Sequence, residues 1–272
     1  MNLRKLIPHA AKPTLKKALY NYYLYSPFQG PVPPEWSIFI GSGDFVGIGQ
    51  LVMKRLVDEG GLQPHHRVLD VGCGMGRAAL PLTTFLDPAT GGRYDGFDIV
   101  KTGVDWCQHK YQQFANFHFL HADIYNFHYN PQGRYQASVY RFPYPDNTFD
   151  MVFLNSVFTH MLPADVENYL AELARVLKPG GVSSITYFLM VPDALEGMKT
   201  GQAHKDLVMK PSGQAYWTSA ADDPEEATGY PEEYVEALYQ KNGMAIEKIL
   251  YGHWCGRKQF YEFQDVVFGR KN

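Results

Sequence analysis

The chain has 272 residues, of which 45% are hydrophobic, 15% aromatic and 19% charged, and its 25 Lys and Arg against 28 Asp and Glu give a formal net charge of −3. This length suits one large domain with insertions, and the aromatic content excludes wholesale disorder. A near-neutral chain lacks diffuse attraction to polyanions, which argues against a generic nucleic-acid binder. The sequence has no run of about 18 apolar residues, so no membrane span is predicted.

The beginning of the chain differs from the rest in charge. The first 34 residues carry five basic side chains and no acidic one. Apolar positions between Leu3 and Tyr22 could line one side of helices that Pro8 and Pro13 interrupt. We predict that residues 1–40 form a helical cap or lid on a main domain of residues 41–272. Two interpretations stay open: a weak contact of residues 1–34 with an anionic membrane surface, or an ordinary terminal helix packed on the body.

From Arg67 onward, short apolar runs alternate with longer amphipathic stretches. This alternation is typical of an α/β fold with a mostly parallel sheet and helices on both faces. The predicted strands are 67–71, 94–100, 117–122, 151–155, 182–189, 246–251 and 266–268, and the predicted helices are 49–58, 77–86, 104–114, 164–177 and 232–241.

Two segments do not follow the alternation. Residues 124–147 are rich in Tyr, Phe and Pro, and residues 191–230 are polar with several Gly and Pro. Long connections of this kind in a compact domain are usually functional loops. We therefore predict that both are insertions that act as lids rather than as core.

The most informative segment is a glycine-rich turn directly after the first predicted strand. Gly72, Gly74 and Gly76 remove Cβ atoms where the chain turns sharply and a ligand approaches backbone amides before a helix. A dinucleotide site needs G-x-G-x-x-G/A, whereas here the third glycine is one residue early and Arg77 takes its place. A carboxylate at Asp70 would repel a pyrophosphate and attract an ammonium or sulfonium group.

The D-x-G-x-G-x-G pattern of Asp70, Gly72, Gly74 and Gly76 resembles the first motif of the class I S-adenosylmethionine-dependent methyltransferases. The resemblance continues in order over roughly residues 39–271. It implies a Rossmann-like seven-stranded sheet, with six strands parallel and the last antiparallel. It also implies S-adenosyl-L-methionine as cofactor and methyl transfer as activity.

Later motifs extend this resemblance. Asp98, at the end of the second predicted strand, matches the acidic residue that binds both ribose hydroxyls in the family, a task that suits a bidentate carboxylate. Asp123 and Ile124 match the pair that contacts the adenine. Taken alone, Asp98 could be a solvated strand end and Asp123 a turn cap. The predicted cofactor-binding residues are Phe45, Asp70, Gly72, Gly74, Gly76, Arg77, Asp98, Ile99, Asp123, Ile124 and Asn155.

Two of these assignments keep an alternative. Phe45 follows the small-residue segment 41–44, which is either a hinge that brings Phe45 over the cofactor or a tight turn. Asn155 ends the fourth predicted strand, where a parallel sheet aims side chains at its ligand crevice. The alternative is a polar strand end that faces water.

Two histidines are candidates for a catalytic base. His160 follows Asn155 by about one turn, and His253 lies between the last two predicted strands next to Trp254. A base contributes where the acceptor is a hydroxyl. The alternatives are a packing or capping role for His160 and a loop surface for His253.

The acceptor is predicted to be a small molecule, with a hydroxyl oxygen as its target atom, and not a nucleic acid. The end of the fourth strand has Asn155-Ser156-Val157-Phe158 in place of the Asn/Asp-Pro-Pro-aromatic motif of enzymes that methylate exocyclic nitrogens. Aromatic residues of the insertions could enclose this acceptor or pack the insertions themselves. They are Tyr125, Phe127, Tyr129, Tyr135, Tyr140, Tyr144, Tyr187 and Tyr216.

Two other functional classes and the cellular setting complete the predictions. A nicotinamide-dependent oxidoreductase would share the sheet and the glycine turn, and a non-catalytic binding module would keep the cofactor residues.

No cluster with metal-ligand spacing appears, so no metal is predicted. Three cysteines without a C-x-x-C pair and the absence of a secretion signal favour a reducing cytoplasm.

Overall fold

The computed structural model describes residues 12–26, 30–39, 43–213 and 215–272. Its main element is a seven-stranded sheet in the order β10-β11-β5-β4-β1-β2-β3. β11 runs antiparallel to both β10 and β5, and the other neighbouring pairs are parallel. The predicted sheet, with its last strand antiparallel, is confirmed. Its strands are β1 Arg67–Val71, β2 Arg93–Asp98, β3 Phe117–His121, β4 Phe149–Leu154, β5 Leu177–Tyr187, β10 Met244–Leu250 and β11 Asp265–Lys271.

Helices cover both faces of this sheet, because successive side chains of its central strands point to opposite sides and both sides are apolar. In β1, Val68 belongs to one buried cluster, and Leu69 and Val71 belong to the other. The first cluster includes residues of α2, α3 and α4, and the second includes residues of α5 and α7. The helices are α1 Lys12–Tyr25, α2 Phe45–Asp58, α3 Ala79–Leu82, α4 Lys101–Lys110, α5 Pro163–Val176, α6 Pro192–Lys199 and α7 Glu232–Lys241.

α3 is much shorter than the helix predicted for residues 77–86. The chain remains in turns through Ala78, and the helix ends at Leu82. The Thr83 and Thr84 hydroxyls donate to the carbonyls of Leu80 and Pro81 at 2.7 and 3.0 Å. Such side-chain bonds compete with the helical hydrogen bonds and explain the early end.

The segment 191–230 has a small core of its own, which differs from the predicted lid loop. It contributes α6, β7 Lys210–Ser212, β8 Tyr216–Thr218 and β9 Thr228–Pro231, and these strands join β6 Leu189–Met190 in a second sheet of order β6-β9-β8-β7. The apolar cluster beneath it includes Phe188, Leu207, Met209 and the fully buried Trp254. Strands of two to four residues carry too little periodicity to be recognised in the sequence.

The described part of the N-terminal segment is hydrogen-bonded to α4. The Tyr20 hydroxyl donates to the Thr102 carbonyl at 2.5 Å, and the Trp106 indole donates to the Pro31 carbonyl at 3.1 Å. The outer side of α1 leaves Leu19 and Tyr22 exposed. No helix of the described residues is long and apolar enough to cross a membrane.

Candidate active site

A cavity of about 210 Å³ opens at the carboxyl ends of β1, β2 and β4. This is the position at which open α/β sheets bind their ligands, because the strand order reverses there. Ten of the thirteen residues predicted to act in the site line this cavity: Phe45, Asp70, Gly72, Gly74, Arg77, Asp98, Ile99, Ile124, Asn155 and His160.

The glycine turn forms the floor of the cavity. The Gly72 and Cys73 amides donate to the Phe97 carbonyl at 2.9 and 3.1 Å, which fixes the turn against β2. Gly72 and Gly74 have φ angles of 84° and 56°, a region that side chains rarely adopt. A Cβ on Gly72 would lie 2.5 Å from the Val157 side chain, whereas a Cβ on Gly74 would meet no atom within 4 Å. Gly74 therefore leaves open space at the cavity wall.

Gly74→Ala tests whether this open space belongs to a ligand. The added methyl fits the unliganded chain at a backbone strain of about 1 kcal/mol but occupies the cavity wall. We expect the affinity for S-adenosylhomocysteine, measured by calorimetry, to fall about tenfold or more. Gly243→Ala is the matched control, since Gly243 has a φ of 67° and open surroundings away from the cavity. Equal affinities for the two variants would contradict a ligand at Gly74.

Asp98 connects the end of β2 to the turn. Its Oδ2 accepts the Gly74 amide and its Oδ1 accepts the Val100 amide, both at 2.7 Å, and the residue is 4% exposed. Burial raises the pKa of this carboxyl, and the two backbone donors oppose that rise. Each carboxylate oxygen keeps a second lone pair, so the group can still accept two hydroxyls of a vicinal diol.

Asp70 lies beneath the turn and is 3% exposed. The Tyr94 hydroxyl donates to its Oδ2 at 2.6 Å. Burial raises the pKa of Asp70 to about 7; the Tyr94 bond opposes the rise, and the neighbouring Asp98 charge adds to it. The full negative charge that the sequence suggested is therefore present only above neutral pH or beside a bound cation, which would lower this pKa.

The raised pKa of Asp70 predicts a specific dependence of stability on pH. Between its usual value of 3.8 and about 7, the folded chain holds a proton that the unfolded chain has lost, so stability falls as pH rises. The loss is on the order of 4 kcal/mol once the pH exceeds the folded pKa. Asp70→Asn removes this loss. We expect the gain in melting temperature of the variant over the unliganded wild type to be larger at pH about 8 than at about 5; parallel pH profiles would refute the assignment.

Phe45 begins α2 at the rim of the cavity and is 6% exposed. The Asp44 carboxylate accepts the Val46 amide at 3.1 Å and so caps the helix. The Arg77 guanidinium lies 5.4 Å from the centre of the Phe45 ring, within the range of a cation–π contact. The other half of the predicted hinge, Gly41 and Ser42, lies outside the described residues.

Asn155 is held by a buried arginine that the sequence reasoning missed. Arg55 of α2 is 0% exposed and donates to the Asn155 amide oxygen at 3.0 Å and to the Glu262 carboxylate at 2.5 Å. Arg55 follows Val52 by three positions on the apolar face of α2, and a charge at such a position is the signal that could have revealed it. The ion pair to Glu262 and the hydrogen bond to Asn155 join α2 to the chain before β11 and to the residue after β4.

His160 faces the cavity from a short 3-10 turn, Phe158–His160. Its Nδ1 lies 3.1 Å from the Glu225 carbonyl. A carbonyl only accepts, so Nδ1 carries the hydrogen of the neutral ring, and the lone pair is on Nε2. Burial lowers the pKa of His160, which keeps the ring neutral at physiological pH and able to accept a proton.

Three predicted site residues lie outside the cavity wall, and their functional roles remain predictions. Gly76 packs against Tyr111, whose hydroxyl donates to the Gly76 carbonyl at 2.7 Å. Asp123 accepts the Asn130 amide at 3.3 Å and lies 3.9 Å from Arg134. His253 is exposed and contacts the rings of Phe260 and Phe263.

The aromatic residues of the insertions divide between two roles. Tyr125 and Tyr129 line the cavity. Tyr140, Tyr144, Tyr187 and Tyr216 belong to or pack against the buried cluster under α5 and α7, and Phe127 and Tyr135 are exposed. Other residues without a predicted role also line the cavity. Phe39 and its neighbour Ile38 lie on the side of the glycine turn, and Asn126, Met161, Asp165, Tyr169 and Glu225 form the end near His160.

Comparisons with known proteins agree with this geometry. Residues 69–185 match the family of methyltransferase domains. The chain is 35% identical over 123 residues to a fatty-acid O-methyltransferase of Mycolicibacterium smegmatis, across 45% of this chain and 35% of that protein. It is 29% identical over 176 residues to the 27-O-demethylrifamycin SV methyltransferase of Amycolatopsis mediterranei, across 61% of this chain and 57% of that protein. The chain thus spans less than two thirds of these curated relatives.

A solved structure extends the likeness to nearly the whole chain. The 1,6-didemethyltoxoflavin-N1-methyltransferase of Burkholderia thailandensis, with bound 1,6-didemethyltoxoflavin and S-adenosylhomocysteine, superposes with a TM-score of 0.52 over 98% of this chain and 91% of its own. Its sequence identity is 16%, so the likeness concerns the fold. Residues 69–185, which contain the glycine turn and Asp98, are thus identified as a methyltransferase domain.

Proposed function

We propose that this protein transfers the methyl group of S-adenosylmethionine to a hydroxyl oxygen of a small-molecule acceptor. The observation that carries the proposal is a cavity whose wall includes the glycine turn and Asp98 as well as the neutral, half-buried His160. A cofactor and an acceptor placed in this cavity would lie next to each other.

The residues at the turn fit the cofactor. Asp98 has lone pairs for the two ribose hydroxyls, Ile99 and Ile124 give apolar surface for the adenine, and Gly74 leaves space for close approach to the backbone. Bound there, S-adenosylmethionine supplies a methyl group on a positively charged sulfur. The remaining assigned residues line the same cavity, and we propose that they also contact the cofactor. They are Phe45, Asp70, Gly72, Arg77 and Asn155.

The chain itself contributes positioning and a proton acceptor. Alignment of acceptor and methyl group is worth roughly 7–11 kcal/mol of the barrier, which a rigid wall of strand ends can supply. The Nε2 lone pair of His160 takes the hydroxyl proton as the oxygen attacks, because Nδ1 already donates to the Glu225 carbonyl. That bond also holds the ring in one tautomer.

The shape and charge of the cavity support a small acceptor rather than a nucleic acid. The cavity ends against α5 and the two insertions, and its far wall includes Tyr129, Tyr169 and Glu225. With a net charge of −3, the chain as a whole has no electrostatic attraction to a polyanion. The rifamycin and fatty-acid enzymes to which it is similar are also named for small or lipidic acceptors.

Two titrations test the proposal against a nicotinamide-dependent oxidoreductase. We expect S-adenosylhomocysteine to bind the full chain with micromolar affinity and NADH not to bind, because Asp70 and Arg77 replace the features of a pyrophosphate site. Transfer of labelled methyl from S-adenosylmethionine to hydroxyl compounds then tests the reaction itself. Binding of NADH alone would overturn the proposal, and binding of S-adenosylhomocysteine without any transfer would favour the non-catalytic module.

We also propose that residues 1–34 make a weak contact with anionic membrane surfaces. Supporting this, α1 exposes Leu15, Leu19 and Tyr22 beside the exposed Lys16 and Lys17. Liposomes containing phosphatidylserine should co-sediment the full chain but not a chain without residues 1–34. Equal sedimentation of the two would refute the contact.

A further inference from the structure

The far end of the cavity carries two carboxylates that the proposed reaction does not use. Asp165 lies in the first turn of α5, and Glu225 lies in the insertion before β9; both line the cavity and both are half-buried. The Phe127 amide donates weakly to the Glu225 carboxylate at 3.4 Å. Asp165 makes no ion pair with any described residue. Two acidic residues therefore line the same cavity, and neither forms an ion pair with a cation of the described residues.

The same end of the cavity includes a tyrosine whose hydroxyl has no hydrogen-bond partner among the described residues. Tyr169 of α5 is 4% exposed and lines the cavity, yet its hydroxyl makes no hydrogen bond within the described part of the chain. A hydroxyl that faces a cavity and has no protein partner is available to a ligand. The Asn126 amide oxygen accepts the His128 and Tyr129 amides at 3.1 and 3.0 Å, which fixes the orientation of this 8%-exposed side chain at the same wall.

The charges of the cavity wall select against an anionic acceptor. Among the described residues that line it, Arg77 is the one lysine or arginine, and Arg77 lies at Phe45 beside the glycine turn. A carboxylate or phosphate at the far end would meet Asp165 and Glu225 without a compensating cation. A cation there would instead meet two carboxylates and the aromatic rings of Tyr129 and Tyr169, the surfaces that bind ammonium groups.

We propose that the acceptor carries a protonated amine, bound between Asp165 and Glu225, in addition to the hydroxyl that is methylated. This inference rests on the proposed methyl transfer and names its substrate class, an amino alcohol or aminophenol. The Tyr169 hydroxyl oxygen is the neutral acceptor that would complete the site.

The titration behaviour of the two carboxyls is consistent with a cation site. Burial raises the pKa of Asp165 and of Glu225, and repulsion from Asp165 raises that of Glu225 further. Backbone hydrogen bonds to Asp165 and Glu225 oppose these rises in pKa. Two neighbouring carboxylates oppose each other's ionisation, and a cation between them relieves that repulsion.

Matched triplets of ligands test the inference on the full chain saturated with S-adenosylhomocysteine. One triplet is tyramine, para-ethylphenol and para-hydroxyphenylpropionate; the other is aminopentanol, pentanol and hydroxypentanoate. Calorimetry should show that the amine of each triplet binds about tenfold or more tightly than its neutral and anionic counterparts. Equal or tighter binding of the neutral or anionic member, or no amine binding at millimolar concentration, would overturn it.

Two substitutions and one control test whether the amine binds at Asp165 and Glu225. Asp165→Asn and Glu225→Gln should each lower tyramine affinity about tenfold while the affinity for S-adenosylhomocysteine stays within twofold. Glu226→Gln is the matched control, because Glu226 is exposed next to Glu225 and does not line the cavity. Equal loss in the control would contradict a defined amine site. Failure of S-adenosylhomocysteine binding in the wild type would instead refute the proposed function, so the two failures are distinguishable.

Discussion

Replacement of Asp98 by asparagine is expected to weaken S-adenosylhomocysteine binding by about 3 kcal/mol, a factor of about 150 in Kd. The carboxylate holds the Gly74 and Val100 amides through different oxygens, and both oxygens have lone pairs left for hydroxyls. An asparagine keeps the shape but has one acceptor oxygen, so its amide group would face one of the backbone N–H donors. Calorimetry on the folded variant measures both the loss of the ribose contacts and the disturbed turn.

Asp95→Asn is the control for this result. Asp95 lies on the same strand, is 3% exposed, and pairs with Arg93 at 2.6 and 2.7 Å outside the cavity. Loss of this buried carboxylate lowers stability but leaves the turn intact. If Asp98→Asn binds S-adenosylhomocysteine as tightly as Asp95→Asn does, Asp98 does not hold the ribose.

Replacement of His160 by alanine is expected to lower the turnover of a hydroxyl acceptor by about 10² to 10⁴. Affinity for S-adenosylhomocysteine should stay unchanged, because His160 lies at the acceptor end of the cavity. Since burial lowers the pKa of His160, wild-type kcat/KM should be constant at neutral pH and fall only below the ordinary range of histidine. The variant should lose this acidic limb of the pH profile.

His253→Ala distinguishes the two histidines that the sequence nominates. His253 is exposed and outside the cavity wall, so its removal should cost far less turnover than removal of His160. A larger loss for His253→Ala, or full turnover of His160→Ala at all pH values, would move the base away from His160.

The cofactor end of the site was predictable from the sequence because its residues are set by local rules. A strand that runs into closely spaced glycines places backbone amides at its carboxyl end, and Asp98 ends the neighbouring strand. Parallel strands bring such ends to one edge of the sheet. Six residues of the turn and of the two strand ends therefore meet where expected: Asp70, Gly72, Gly74, Arg77, Asp98 and Ile99.

The acceptor end was not predictable, since its residues meet only through tertiary packing. Glu225 contacts His160 across 65 positions of sequence, through an insertion whose short strands have little periodicity. In the sequence, Asp165 is an acidic residue in the first turn of a predicted helix. The helix dipole stabilises a carboxylate at that position whether or not a ligand binds, so the sequence gives no sign of a ligand site. The identity of Arg55 as the partner of Asn155 depends on a separation of 100 residues.

The state of Asp70 shows a second limit of sequence reasoning. The pattern identifies a carboxylate at the turn, but its charge depends on burial and on the Tyr94 hydroxyl, neither of which the pattern contains. The electrostatic preference for a cation is thus a property of the ligand-bound site. It develops when a bound cation favours loss of the Asp70 proton.

The measurement that tests the central claim most directly is a crystal structure of the chain grown with S-adenosylhomocysteine. The account predicts that the ligand fills the cavity, that both ribose hydroxyls donate to the Asp98 carboxylate, and that the ligand lies in close contact with the Gly74 backbone. An empty turn at saturating ligand, or a nucleoside bound without contact to Asp98, would contradict it.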